Sequence, residues 1–218
     1  MWIGAVERAR AYGIDISLLR SCLLRPPEER LRMACDNATA VARFRRRSAD
    51  YARLLDRLLA GKANFILVGS MAAATHGSAY IPNDLDICFD TAPENVDKLA
   101  CALQPIRPRA RLTDAGDERH IDVRTDLLEP RLTLRTDEGD LELHAQVEGL
   151  GDYRECLAVS ESISWAGTRV RVLALEGLIV AIENRLTPEE TGPLVALGAL
   201  LYLFREGDQR PTPSIQCF

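Results

Sequence analysis

The sequence predicts a mixed α/β fold, in which a small mixed β-sheet is flanked by helices and preceded by a helical extension. Three observations favour this class. The first 60 residues carry apolar side chains at helical spacing. Short apolar or alternating runs, which are typical of strands, recur between residues 65 and 173. Amphipathic segments separate several of these runs, and one more follows the last of them.

The composition is that of an ordinary globular protein. Its 218 residues, 47% hydrophobic and 27% charged, suffice for one core with a helical appendage. We expect a cytoplasmic protein, because no run of about 18 apolar residues occurs and MWIGAVERAR lacks a signal-peptide pattern. The six cysteines contain no C-x-x-C pair, which favours reduced, mostly buried thiols over a disulfide framework or a zinc site.

The net charge of −5 is distributed unevenly. Residues 1–60 contain 12 Lys and Arg against 7 Asp and Glu, whereas the remaining residues contain 15 against 25. A basic helical part beside an acidic part could hold a polyanion near a metal site. Two solvated helix faces explain the same pattern and are the commoner case. The basic cluster at 43–47 therefore has two interpretations, a solvated helix surface or a contact with RNA or an acidic partner.

The N-terminal helices are delimited by residues that start or stop helices. Gly13 fits the end of the first helix, and Asp15 caps the second. Pro27 fits the first turn of the third helix, and Gly61 ends the fourth just before the first strand. The predicted domains are a helical extension (1–60), a main domain (61–205) and a polar tail (206–218).

The stretch from Phe65 to Asp90 carries the clearest chemical signal. A strand from Phe65 to Val68 is followed by Gly69, which lets the backbone turn sharply and approach a ligand. Ser70 can cap the next helix and offer a hydroxyl to a phosphate. Because the first N–H groups of a helix bind anions, this bend is a candidate phosphate site.

The next strand places Asp84 and Asp86 on one of its faces, because side chains alternate along a strand. Two neighbouring carboxylates repel each other unless a cation lies between them. Oxygen ligands favour magnesium or manganese. The stretch therefore predicts a divalent metal beside the phosphate site.

Two alternating runs follow around the turn signal at 137–139. The first is Leu132 to Thr136, and the second is Asp140 to His144. In the second strand Asp140, Glu142 and His144 share one face, with Leu141 and Leu143 towards the core.

A Gly-Ser after a strand, a short helix and then an Asp-x-Asp strand resemble the nucleotidyltransferase superfamily, whose fold is like the polymerase-β palm. Segments 131–153 and 168–179 resemble a group of small bacterial nucleotidyltransferase-like proteins. The resemblance covers roughly residues 60–185, so it assigns the domain at 61–205 to this fold. Some relatives are thought to act as toxins of toxin–antitoxin pairs that modify transfer RNA.

The resemblance implies a catalytic and metal-binding set of Asp84, Asp86 and Glu142, with Mg²⁺ or Mn²⁺ as the ion. Gly69 and Ser70 would bind the nucleotide phosphates. The implied reaction moves an NMP group from an NTP to a hydroxyl of an RNA, a protein or a small molecule, and it releases pyrophosphate.

The chain departs from the family pattern at three places. The segment 79–83 lacks the Arg that the family often has, Glu142 stands where Asp is usual, and 182–184 lack a common Lys. These departures open an alternative, an inactive relative that binds nucleotide or a protein or RNA partner. An interaction-only protein is the third interpretation, and it rests on the cluster at 43–47 and an apolar helix at 194–204 that fits core or homodimer packing.

The remaining elements follow from local patterns. Residues 105–119 read as a loop, since they are rich in Pro, Arg and Asp. Alternation around Ala166-Gly167 predicts a hairpin from 162 to 173, and 176–185 predicts an amphipathic helix. His76 either orders the loop at 76–78 or contacts the nucleotide.

Overall fold

In the computed structural model, the described residues are 4–111, 118–121, 124, 130–185 and 197–200. They form a mixed α/β fold with helices around a mixed sheet, as the sequence predicts. Within these ranges no helix is long and apolar enough to cross a membrane. The predicted polar tail and most of the predicted apolar helix at 194–204 lie outside the described residues.

Four helices precede the sheet. They are α1 (Ala5–Ala11), α2 (Ile16–Leu23), α3 (Pro27–Phe44) and α4 (Tyr51–Ala60). The Asp15 carboxylate caps α2 by accepting from the backbone N–H groups of Ser17 at 2.8 Å and Leu18 at 3.2 Å. The starts of α2 and α3 and the end of α4 are therefore where capping chemistry predicts them.

Within the described part of the chain, the main sheet has eight strands in the order β4-β3-β5-β6-β2-β1-β10-β9. They are β1 (Phe65–Leu67), β2 (Leu85–Phe89), β3 (Arg109–Arg111), β4 (Glu118–His120), β5 (Arg131–Thr136), β6 (Gly139–His144), β9 (Ser160–Trp165) and β10 (Thr168–Leu173). The pairs β2–β6 and β1–β10 are parallel, and the other neighbours are antiparallel. A separate antiparallel pair is formed by β7 (Gln146–Val147) and β8 (Gly151–Asp152).

Within the described ranges, further helices follow β1. They are α5 (Gly69–Thr75), α6 (Pro93–Leu103), α7 (Tyr153–Ala158) and α8 (Leu175–Arg185). A 3₁₀ turn, Gln104–Ile106, follows α6, and residues 197–200 are helical.

The centre of the sheet is buried on both faces. Ile66 in β1, Ile87 in β2 and Leu143 in β6 are fully buried, as expected for central strands that are covered on both sides. Buried side chains of α1 to α4 belong to the same apolar cluster as those of the sheet.

Tyr51 ties the helical segment to the strands of the site. Its buried ring lies against Gly139, where an added Cβ would be only 2.8 Å from Tyr51 Cε1. Its hydroxyl donates to the carbonyl oxygen of Asn83 at 2.6 Å, one residue before Asp84. The start of α4 therefore supports both the loop before β2 and the turn before β6.

Three local predictions are wrong. Helix α5 begins at Gly69, and its N-cap residue is Val68, whose side chain makes no capping hydrogen bond. Ser70 therefore lies inside the first turn and does not cap the helix. Strand β2 begins at Leu85, so Asp84 lies in the bend before it. The predicted loop at 105–119 contains strand β3 and part of β4. Ion pairs between charged side chains stabilise these two strands at the edge of the sheet. There Arg109 and Arg135 pair with Glu118 at 2.9 and 2.7 Å.

Candidate active site

The parallel pairing of β2 with β6 brings acidic side chains from distant parts of the chain together. Asp86 is the register partner of Glu142, and Cys88 is the partner of His144. Paired residues of neighbouring strands project from the same face, and so do alternate residues of one strand. Asp86, Glu142 and His144 therefore share one face of the sheet.

The side-chain atoms of these three residues converge. His144 Nε2 lies 3.7 Å from Asp86 Oδ1 and 3.8 Å from Glu142 Oε2. One potential ligand atom from each residue lies within 4.8 Å of those of the other two. Asp86 and Glu142 are 8% and 5% exposed, so this negative charge is largely withdrawn from water.

Gly69 lies directly against the Asp86 carboxyl group. Its φ of +59° is in the left-handed region, and a Cβ at this position would lie 2.7 Å from Asp86 Cγ. The neighbouring Val68 N–H donates to the Asp86 carbonyl oxygen at 3.0 Å. Only glycine allows the backbone to turn this close to the acid, and the Gly69-Ser70 bend is thereby placed next to β2.

The remaining predicted acid, Asp84, is half-buried at the edge of the same cluster. Burial raises its pKa to about 7, and the negative charges of Asp86 and Glu142 contribute to the rise. Burial also raises the pKa of Asp86, although the neighbouring His144 opposes this. Carboxyl groups with raised pKa values indicate crowded negative charge, which a bound cation would relieve.

Glu142 differs from the two aspartates because the guanidinium group of Arg131 already lies against its carboxylate. Burial alone would raise its pKa, but hydrogen bonds with Arg131 and Asp86 lower it below the ordinary value. The Arg131 Nε–H donates to Glu142 Oε1, and Thr133 Oγ1 lies 3.4 Å from the same oxygen. Glu142 is therefore the member of the cluster held in its ionised form.

These residues form one wall of a cavity of about 940 Å³. Its lining also includes Gly69 and Ser70. Apolar side chains, here called the apolar wall, also line it, namely Ala73, Leu173, Leu178, Ala181, Ile182 and Leu197. The volume is at the upper end of the usual range for small-molecule sites, and a lining that combines carboxyl groups with apolar side chains suits a ligand that is part charged and part aromatic.

All five predicted site residues, Asp84, Asp86, Glu142, Gly69 and Ser70, line this cavity. Sequence reasoning missed His144 and Arg131 as neighbours of the acids. Alternation had placed His144 on the face of Glu142 without a role. The position of Arg131 follows only from its register opposite His144 in the β5–β6 pair.

His76 has a position that favours loop ordering over nucleotide contact. It is 5% exposed, and its Nε2–H donates to the Leu173 carbonyl oxygen at 2.9 Å, since a carbonyl can only accept. It therefore joins the end of α5 to the end of β10.

The basic cluster at 43–47 lies at and beyond the end of α3. Arg45 Nη1 donates to Asn83 Oδ1 at 3.3 Å, and Arg47 Nη1 pairs with Asp140 Oδ2 at 3.2 Å. Two of its members thus contact the strands and loop next to the acids.

Fold and site together define a mixed α/β protein with an acidic, metal-competent cavity. No family model matches the chain, and no curated protein matches it. Among solved structures, the chain is similar to the solution structure of the antibiotic-resistance factor ANT(2'')-Ia, with 15% identity and a TM-score of 0.46. The match covers 72% of this chain and 85% of that one. A likeness this weak carries no conclusion about the activity of this chain.

Proposed function

We propose that this protein is a metal-dependent nucleotidyltransferase. It would move an NMP group from an NTP to a hydroxyl of an RNA, a protein or a small molecule and release pyrophosphate. The observation that supports this most directly is the meeting of Asp86 and Glu142, from two parallel strands, beside the Gly69-Ser70 bend in one large cavity. The toxin role of some similar proteins gains no support from these contacts.

The donor set fits a divalent ion. Asp84, Asp86 and Glu142 offer carboxylate oxygens, which Mg²⁺ and Mn²⁺ prefer. The raised pKa values of both aspartates, caused first by burial, indicate that the site favours added positive charge. When bound, the ion would neutralise charge on the transferring phosphate and favour ionisation of the acceptor hydroxyl.

The chain's own residues would position the reactants. Gly69 and Ser70 would hold the β- and γ-phosphates, and the apolar wall that includes Leu173 and Leu178 would pack against the base. Arg131, whose side chain is 59% exposed at the cavity, could reach the phosphates as the cation that segment 79–83 lacks. Glu142 would help to orient the acceptor hydroxyl. That hydroxyl would release its proton to water, its oxygen would attack the α-phosphorus in line, and the bond from the α-phosphorus to the bridging oxygen would break as pyrophosphate leaves.

The direct test is the substitution Asp86→Asn. It removes a carboxylate from the centre of the cluster and keeps the side-chain volume, so we expect transfer from an α-labelled NTP to fall at least about a thousandfold. The four labelled triphosphates are screened against cell RNA, protein and small-molecule extracts. Asp36→Asn, at an exposed position on α3, is the matched control and should retain full transfer. An Asp86→Asn protein that still transfers label refutes the proposal.

A second candidate function is nucleotide or partner binding without turnover. The observation that favours it is the Arg131 guanidinium, which already neutralises Glu142 and could replace a metal there. Calorimetry with each NTP, with and without magnesium, combined with a pyrophosphate assay, separates the two. Nucleotide binding without pyrophosphate release favours the non-catalytic protein.

A further inference from the structure

His144 lies close to both buried carboxyl groups of the cluster. Its Nε2 is 3.7 Å from Asp86 Oδ1 and 3.8 Å from Glu142 Oε2. Both distances exceed those of a hydrogen bond, which for a charged pair is about 2.8 Å. The imidazole nitrogen therefore lies near both acids at separations longer than an ordinary hydrogen bond.

The spacing is close to that of ligands around one ion. Neighbouring ligand atoms about 2.1 Å from an octahedral ion lie about 3.0 Å from one another. The two separations from His144 Nε2 exceed this value by less than about 1 Å, so small movements of the side-chain ends would bring the three ligand atoms around one ion. Only 12% of the His144 side chain is exposed, so the nitrogen does not project into open solvent.

The backbone fixes this arrangement. Glu142 and His144 are alternate residues of β6, and the pairing of β6 with β2 sets Asp86 beside them. Fully buried Leu141 and Leu143 hold β6 from the opposite face. On the other side, Thr133 and Arg131 contact Glu142 as outer partners of the kind that orient metal ligands.

A nitrogen donor changes the choice of ion. Magnesium prefers an octahedron of oxygen atoms with several waters. Imidazole binds first-row transition metals more strongly than magnesium, and manganese accepts carboxylates as well. We propose that Asp86, Glu142 and His144 form a mixed oxygen–nitrogen site that binds Mn²⁺ in preference to Mg²⁺, with His144 Nε2 as a direct ligand. Because two of these residues belong to the proposed active site, this assignment rests on the proposed function and names its ion.

The test is pulsed electron paramagnetic resonance of the full chain, stripped of metal and loaded with MnCl₂. We expect nitrogen modulation from one imidazole, and ¹⁵N-labelled histidine should change its frequency. His144→Gln should abolish the modulation, whereas His76→Gln removes a buried histidine outside the cluster and should keep it. Because the labelling experiment uses the unsubstituted protein, it stands even if a variant fails to fold.

Calorimetry gives a second readout. In His144→Gln, Mn²⁺ affinity should fall at least about tenfold, while Mg²⁺ affinity should change less than about threefold. Manganese that fails to bind, that binds without nitrogen modulation, or whose affinity falls no more than that of magnesium overturns the assignment. Nitrogen modulation in a protein that transfers no nucleotide supports His144 and counts against the proposed function. Nucleotidyl transfer without nitrogen modulation supports the proposed function and counts against His144 as a ligand.

Discussion

At the scale of single residues, the contact between Gly69 and Asp86 controls how near the backbone bend comes to the acids. A Cβ at position 69 would lie 2.7 Å from Asp86 Cγ, which is closer than side chains tolerate. The Asp86 carboxyl group and the Gly69-Ser70 bend can therefore lie this close together only because residue 69 has no side chain.

We predict that Gly69→Ala displaces the Asp86 carboxyl group and lowers nucleotidyl transfer at least about a hundredfold, because a misplacement of about 1 Å can cost that much. Transfer assays and thermal unfolding measure the effect. Gly13→Ala is the control, since Gly13 also has a positive φ, +87°, but has no atom within 4 Å of its Cβ position. Both variants lose about 1 kcal/mol to backbone strain. Equal activity in the two variants would contradict the prediction.

The sequence predicted which face of the sheet a side chain occupies where alternation along a single strand determines that face. Alternation along one strand was enough to put Glu142 and His144 on the same face, as the register of β6 has them. Arg131 could not be found in this way. Its place depends on the pairing of β5 with β6 and on a guanidinium that turns towards Glu142, and neither property is encoded in the residues next to it.

At the scale of elements, helix α5 is held at both ends. Gly69 abuts Asp86 in β2, and His76 at the other end donates to Leu173 in β10. Burial lowers the pKa of His76, although the Leu173 carbonyl oxygen and Glu161 oppose this and Arg30 assists it. The negative charge of Glu176 also raises the pKa of His76. The neutral form of His76 is therefore the form that stabilises the fold.

The sign of the resulting pH dependence follows from linkage. The unfolded chain has a histidine pKa of about 6.5, and the folded value is lower, so the unfolded chain takes up the proton first as the pH falls. The stabilisation of the fold by neutral His76 is fully present above about pH 6.5 and is lost as the pH falls below that value. We predict that the unsubstituted protein loses about 1 kcal/mol more stability than His76→Gln between pH 7.5 and 5.5.

Urea unfolding at the two pH values measures this difference. Glutamine can still donate to the Leu173 carbonyl oxygen but has no proton to gain. Parallel losses of stability in the two proteins would show that His76 is not the titrating group.

Element boundaries were predictable where a cap or a turn is written in adjacent residues. Asp15, Pro27 and the Ala166-Gly167 turn each sit where the chain changes direction. Strand β3 was missed because its stability is not local. Its three residues, Arg109–Arg111, are mostly polar, and they form a strand through pairing with β4 and β5 and through ion pairs to Glu118.

At the scale of the whole molecule, the crowded carboxyl groups of the acidic cluster oppose folding. Burial and mutual repulsion raise the pKa values of Asp84 and Asp86, so their ionisation opposes folding in the metal-free protein. An ion that binds only the folded chain should therefore stabilise it strongly.

We predict that Mn²⁺ at about 100 times its dissociation constant stabilises the protein by about 2.7 kcal/mol, which raises Tm by about 5–10 °C for a chain of this size. Scanning calorimetry with and without chelator measures the shift. Asp86→Asn should remove most of the shift, and Asp36→Asn should retain it. A shift of equal size in the two variants would place the ion elsewhere.

The hydroxyl of Tyr51 has a consequence for how the chain can be divided. Residues 1–60 were predicted as an extension, and that boundary stays a prediction. Yet the Tyr51 hydroxyl binds the carbonyl oxygen just before Asp84, and the Tyr51 ring packs against Gly139. A protein shortened to begin at the first strand would lack both contacts. We would expect its acids to lose their alignment even if its sheet still assembled.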